Sequence, residues 1–77
     1  MKDTDLSRLR DGETARVTGI TGAGAMGRRL RDMGLVQNTR VECLLHSPFG
    51  DPAAYLIRGA VVALRREDSR RVRAVLL

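Results

Sequence analysis

The sequence predicts a small all-β domain of about five short strands and one short helix, on three observations. Apolar residues alternate with polar ones in several short runs, the signature of half-buried strands. Only one segment, around residues 25–33, carries the wider spacing of a helix face. Between these runs stand glycines, prolines and asparagine, the residues that make turns.

The elements follow in order. Leu6-Ser7-Arg8-Leu9-Arg10-Asp11-Gly12 places two leucines three apart and then a turn signal. This spacing predicts a hook or single helical turn that lays Leu6 and Leu9 on the core. From Glu13 to Ile20, Ala15 and Val17 share one face and Arg16 and Thr18 the other, which predicts a strand. Thr21-Gly22-Ala23-Gly24 breaks it. Ala25 to Met33 reads as a helix, with Met26, Leu30 and Met33 on one face and Gly34 where a left-handed C-cap belongs. Gln37-Asn38 predicts a tight turn. Thr39 to His46 predicts a strand with Val41, Cys43 and Leu45 on one face. Ser47-Pro48-Phe49-Gly50-Asp51-Pro52 is a loop, and Ala54 to Ile57 returns antiparallel to the preceding strand. Arg58-Gly59 breaks or bends the chain before a strand from Ala60 to Leu64. Arg65 to Arg71 fits a short exposed helical turn, and Val72 to Leu77 forms the last strand. Among small barrels the SH3-like one suits this length. Periodicity alone leaves the closure of the sheet open.

The 77 residues read as one domain, 1–77, with no room for a second core. A chain of this size buries only about 60% of the surface its unfolded form exposes. The one cysteine, Cys43, excludes an internal disulfide, and one cysteine with one histidine fall short of the usual four-ligand zinc set. Packing must therefore hold the core, with a partner or a second copy as the available help. A single free cysteine suits a reducing compartment. No run approaches the roughly 20 apolar residues that span a bilayer. No apolar stretch follows the N-terminal Met1-Lys2-Asp3-Thr4-Asp5. The expected location is the cytoplasm, without membrane insertion.

Fourteen basic residues against nine acidic ones give a net charge of +5, and all the basic residues but Lys2 are arginine. Such a surface attracts nucleic acid, anionic lipid or an acidic protein face, or is simply solvated. Its basic residues form two groups: Arg28, Arg29 and Arg31 on the helix, and Arg65, Arg66, Arg70, Arg71 and Arg73 near the end. Nucleic-acid modules of this size add aromatic platforms on which bases stack. Here the aromatics are Phe49 and Tyr55, which makes a nucleic-acid partner the lesser expectation.

Catalysis requires a positioned acid, base or nucleophile. Cys43 and His46 are three apart, and on a regular strand an odd offset turns them to opposite faces, which argues against a Cys–His pair or a shared metal. Cys43 reads as a core residue and His46 as a surface residue at the strand end. A weak transition-metal contact of His46 with Asp51 is the most that this inventory admits. Gly22-Ala23-Gly24-Ala25-Met26-Gly27 matches the dinucleotide-binding string, but no crossover strand follows and the chain is too short for that fold. A P-loop needs a lysine that is absent there. The expectation is a binding protein and not an enzyme, with no catalytic residue, no cofactor and no resident metal.

Several segments together resemble the ferrous iron transport protein A (FeoA) family. Arg28-Arg29-Leu30-Arg31-Asp32-Met33-Gly34-Leu35, followed by a tight turn and a strand, is similar to that family's RRL-x-x-(L/M)-G-L segment. The Ser47–Pro52 loop is similar to its Pro-x-Gly-Asp-Pro loop. Ile57-Arg58-Gly59 with Ala63-Leu64-Arg65-Arg66-Glu67-Asp68 resembles its closing segment, and Leu9-Arg10-Asp11-Gly12-Glu13 its L-x-x-G start. The likeness runs from Leu6 to Val75. Gln37-Asn38 replaces the family's usual Pro-Gly, and Ser69 stands where alanine is common. The resemblance implies an SH3-like barrel and a cytoplasmic accessory protein of bacterial ferrous iron uptake. That protein would contact the membrane transporter FeoB at its GTP-binding domain. The surface expected to do so is Met26, Arg28, Arg29 and Asp32, with the Pro48–Pro52 loop behind it. The alternatives are a small basic barrel that binds nucleic acid, or a stand-alone relative of the C-terminal domain of metal-dependent repressors.

Overall fold

A polar N-terminal segment with no apolar alternation, Lys2-Asp3-Thr4-Asp5, pairs as a strand, and it makes the sheet six-stranded where sequence periodicity shows five. The computed structural model describes residues 2–22 and 24–77. Met1, and Ala23 in the break before the helix, lie outside the described residues. The strands are β1 (Lys2–Asp5), β2 (Thr14–Ile20), β3 (Arg40–His46), β4 (Ala53–Ile57), β5 (Ala60–Leu64) and β6 (Val72–Leu76). All pairs are antiparallel, in the order β1-β6-β2-β3-β4-β5. A 3₁₀ turn, Leu6–Arg8, follows β1; α1 (Ala25–Asp32) joins β2 to β3, and α2 (Arg66–Ser69) joins β5 to β6. β1 owes its conformation to its neighbour, because Lys2 to Asp5 register against Leu76 to Arg73. Asp5 is buried. It accepts the Ser7 amide at 3.0 Å and pairs with Arg8 and Arg73 at 3.6 and 3.9 Å.

One cluster of buried residues fills the concave side. Leu6 and Leu9 come from the first turn, Ala15 and Val17 from β2, and Leu30 and Leu35 from α1 and its exit. Val41 and Cys43 of β3, Tyr55 and Ile57 of β4, Leu64 of β5 and Val72 and Ala74 of β6 join them. The Tyr55 hydroxyl donates to the Leu6 carbonyl at 3.0 Å within this core. β4 lies near one end of the sheet and Leu6 adjoins the strand at the other, so this bond is made only because the sheet curls round on itself.

Two irregularities bend the sheet. Pairing shifts between Val17 and Gly19 on β2, and between Cys43 and Leu45 on β3. On β3, Cys43 faces Tyr55 but Leu45 faces Ala54, so Leu44 is an extra residue, a β-bulge. The bulge overturns the expectation that Leu45 shares the face of Val41 and Cys43. Beyond Leu44 the alternation reverses, and Leu45 is 55% exposed.

The turns follow local chemistry. Gly34 has φ 100°, and the amides of Gly34 and Leu35 donate to the carbonyls of Arg31 and Leu30 at 2.9 and 3.2 Å. These are the two bonds of a Schellman cap, which ends α1. Asn38 adopts φ 75° in the turn before β3. Arg58 and Gly59, both left-handed at 51° and 85°, make the two-residue connection between β4 and β5 that fits the twist of a hairpin. β5 is an edge of the sheet, and its Ala60, Val61 and Ala63 are exposed. In the β3–β4 loop the Asp51–Pro52 bond is cis. Asp51 accepts the Arg66 amide at 2.9 Å at the start of α2.

Two outcomes are expected. Gly34→Ala forces a side chain into the left-handed region and toward Arg58 Cδ, 2.6 Å from the added carbon. It should cost about 1–2 kcal/mol, read as a lower midpoint in urea. Tyr55→Phe should cost about 1 kcal/mol near neutral pH through the lost hydrogen bond. Burial raises the Tyr55 phenol above its ordinary 10.0. The unfolded chain therefore releases this proton first, and the stability tied to it is full below pH 10 and drains away above. The gap in melting temperature between wild type and Tyr55→Phe should narrow accordingly as pH rises past that point.

Candidate functional site

Helix α1 carries the four residues expected to meet a partner. Arg28, Arg29 and Asp32 are exposed, while Met26 is half-buried and packs against the core cluster beside buried Gly27 and Leu30. Residues three and four apart are neighbours on a helix, so Arg29 lies next to both Met26 and Asp32, and Arg28 next to Asp32. The result is a short row of two cations and an anion with a methionine at its base. Among the described residues neither Arg28 nor Arg29 forms an ion pair.

The scaffold holds both ends of this helix. At its start, the Thr21 amide donates to the Arg71 carbonyl at 2.7 Å, and the Thr21 hydroxyl to the same oxygen at 3.2 Å. A carbon added to Gly22 would sit 2.5 Å from an Arg71 guanidinium nitrogen, so the chain there runs directly against that side chain. At its end, the capping Gly34 abuts Arg58 and Ile57. A helix of eight residues is too short to persist alone. These anchors and the burial of Leu30 keep it in place.

A second group was not foreseen. Asp11, Cys43 and His46 bring a carboxylate oxygen, a thiol sulfur and an imidazole nitrogen within 4.8 Å of one another. The expectation that Cys43 and His46 face apart is corrected here, because the bulge at Leu44 reverses the alternation. His46 registers with buried Ala53, on the same side as Cys43. Its carboxylate neighbour is Asp11 and not Asp51: His46 Nδ1 and Asp11 Oδ1 are 2.6 Å apart. The Asp11 turn is drawn to β3 by main-chain bonds, from the Gly12 amide to the Cys43 carbonyl at 2.7 Å and from the Cys43 amide to the Glu13 carbonyl at 2.9 Å. Asp11-Gly12 reads locally as a turn, and no feature of its own sequence says which strand it will touch. Cys43 is fully buried, as expected. Burial, and then the negative charges of Asp11 and Glu13, push its thiol above the ordinary 9.0. A thiol held protonated is a poor nucleophile.

The other basic group is partly engaged: Arg73 pairs with Asp5, and Arg71 supports the entry to α1. Of the two aromatics, Tyr55 is buried and Phe49 stands 96% exposed at the tip of the β3–β4 loop. Open grooves of about 410 and 440 Å³ are lined by residues such as Thr18, Ile20 and Arg73, and Thr4, Arg8 and Glu13. Neither includes Cys43 or His46.

Comparison with known proteins agrees with this architecture. Residues 4–75 match the family described as the FeoA domain. A Porphyromonas gingivalis protein, named Fe(2+) transport protein A/Fe(2+) transporter FeoB fusion protein, is 32% identical over 72 residues. That match covers 94% of this chain and only 8% of the relative. The solution structure of FeoA from Chlorobium tepidum superposes with a TM-score of 0.87 at 32% identity, over 96% of this chain and 70% of that one. The crystal structure of Stenotrophomonas maltophilia FeoA complexed with zinc, described as a procaryotic SH3 domain protein, gives 0.81 at 28% identity, over 96% and 89%. The curled sheet is thus the SH3-like fold that the strand pattern and length predict, and the chain belongs to the FeoA domain family.

Proposed function

We propose that this protein is a cytoplasmic accessory factor of bacterial ferrous iron uptake, and that it acts by docking on the GTP-binding domain of the transporter FeoB. The observation that carries this reading is the fusion relative. There, a segment 32% identical to nearly all of this chain belongs to a polypeptide that also bears the transporter's name. Covalent linkage makes an encounter between two modules intramolecular, and it is useful where the two must meet. The chain itself offers an interaction surface more readily than a reaction site. Its grooves are open, burial and nearby carboxylates push its thiol up, and its arginines project from a braced helix. No helix among the described residues is long and apolar enough to cross a membrane.

The docking surface is α1, through Met26, Arg28, Arg29 and Asp32. Arginine suits such a role because its planar guanidinium makes bidentate contacts with carboxylates. A partially buried methionine beside it supplies adaptable apolar contact. Electrostatic complementarity then calls for an acidic patch on the partner.

Charge reversal at Arg28→Glu with Arg29→Glu should weaken capture of the transporter's purified cytoplasmic domain by about tenfold or more, the scale of one arginine hot spot. Both residues are exposed, so the melting temperature should stay close to that of wild type. Unchanged capture by a folded double variant would remove α1 as the docking surface. No capture by wild type would remove the partner.

A further inference from the structure

A β-bulge interrupts a ladder and re-aims the side chains beyond it, which is why bulges gather beside functional sites. Without Leu44 as an extra residue, His46 would point away from the core. With it, the imidazole stands beside Asp11 and over the side of β3 that carries the Cys43 sulfur. The three donors come from two separate stretches of chain, clamped together by the main-chain bonds between Gly12, Glu13 and Cys43. Burial is graded across the group. Cys43 is fully buried, the His46 side chain is 30% exposed and the Asp11 side chain 62%.

We propose that Asp11, Cys43 and His46 form a binding site for a single divalent transition ion of borderline softness, the class that holds zinc(II), cobalt(II) and iron(II). A thiolate, an imidazole and a carboxylate suit that class. Magnesium and calcium prefer oxygen donors alone. The geometry is close to what such an ion requires. Bonds of about 2.0–2.3 Å at tetrahedral angles hold ligand atoms about 3.3–3.6 Å apart. The Asp11–His46 pair, now at 2.6 Å, would open by less than about 1 Å. The sulfur already lies within 4.8 Å of both partners, and side-chain rotation at exposed Asp11 supplies the adjustment.

Binding replaces the Asp11–His46 contact with two bonds to the ion. Cys43 ligates as thiolate, so its proton leaves to solvent, and the imidazole offers a nitrogen lone pair while its proton stays on the other ring nitrogen. Three protein ligands leave a fourth position for water or a group from another molecule, which marks an exchangeable site and not a closed structural one. The proposal uses no residue of α1 and stands apart from the docking reading.

Cobalt(II) titration of the whole reduced protein, without oxygen, tests it directly. The expected result is one-to-one saturation, a near-ultraviolet band from thiolate-to-cobalt charge transfer and visible bands of tetrahedral strength. His46→Ala and Asp11→Ala should each weaken binding by at least about tenfold, a loss that even an outer-shell partner can cause. Cys43→Ser should abolish the charge-transfer band. If that core substitution unfolds the chain, the two surface variants carry the test, with circular dichroism confirming their fold. Wild type that stays folded and shows no charge-transfer band overturns the site. So does a band that survives unchanged in both surface variants.

Discussion

Six strands of four to seven residues make a sheet whose concave face must be covered, and the described residues supply only two short α-helices and one 3₁₀ turn to cover it. The sheet therefore has to cover itself, and nearly every other feature answers to that constraint. The hydroxyl of Tyr55 reaching the carbonyl of Leu6 is its direct expression, a polar bond inside the core that joins opposite ends of one sheet. A buried phenol without a partner would be costly, so this contact specifies how far the sheet curls as well as contributing to stability. Curvature of this kind needs places where the ladder bends. The bulges on β2 and β3 provide them.

The same bends decide what the surface presents. At β3 the extra residue sends Leu45 to solvent and brings His46 back toward Cys43, so the bending of the barrel and the assembly of the Asp11–Cys43–His46 group are one event. At α1 the helix is short enough to depend wholly on its neighbours. Arg71 meets its entry and Arg58 its exit, which presents Arg28, Arg29 and Asp32 on a fixed frame. Binding residues held by rigid elements lose less entropy on docking than residues of a free loop.

Much of this was legible in the sequence where the cause is local. Alternation at Ala15/Val17 and Val41/Cys43 gave β2 and β3. The spacing of Met26, Leu30 and Met33 gave the buried face of α1, and the left-handed turns at Gly34 and Asn38 followed from their chemistry. The exposure of Arg28, Arg29 and Asp32 was readable from the same helical period. What could not be read has a non-local cause. Lys2–Asp5 is a strand because β6 lies beside it, and nothing in four polar residues says so. The bulge at Leu44 depends on how β4 registers against β3, and a period-two reading run through it assigns every later side chain to the wrong face. Asp11 meets His46 for that reason, and their separation of 35 positions leaves no trace of it in the sequence.

The two rims of the sheet are guarded unequally. β1 ends it with exposed Lys2 and Asp3, charges that discourage another strand from adding on. β5 ends it with Ala60, Val61 and Ala63 open to solvent and with no proline or charge along its length. Repulsion between molecules of charge +5, reinforced by Arg58 and Arg65 flanking it, opposes the zipping of two copies along that rim. Such repulsion reaches only about 8 Å at physiological ionic strength and less in stronger salt. The opposition to pairing at this rim is thus electrostatic, stronger in dilute buffer and weaker as counterions accumulate.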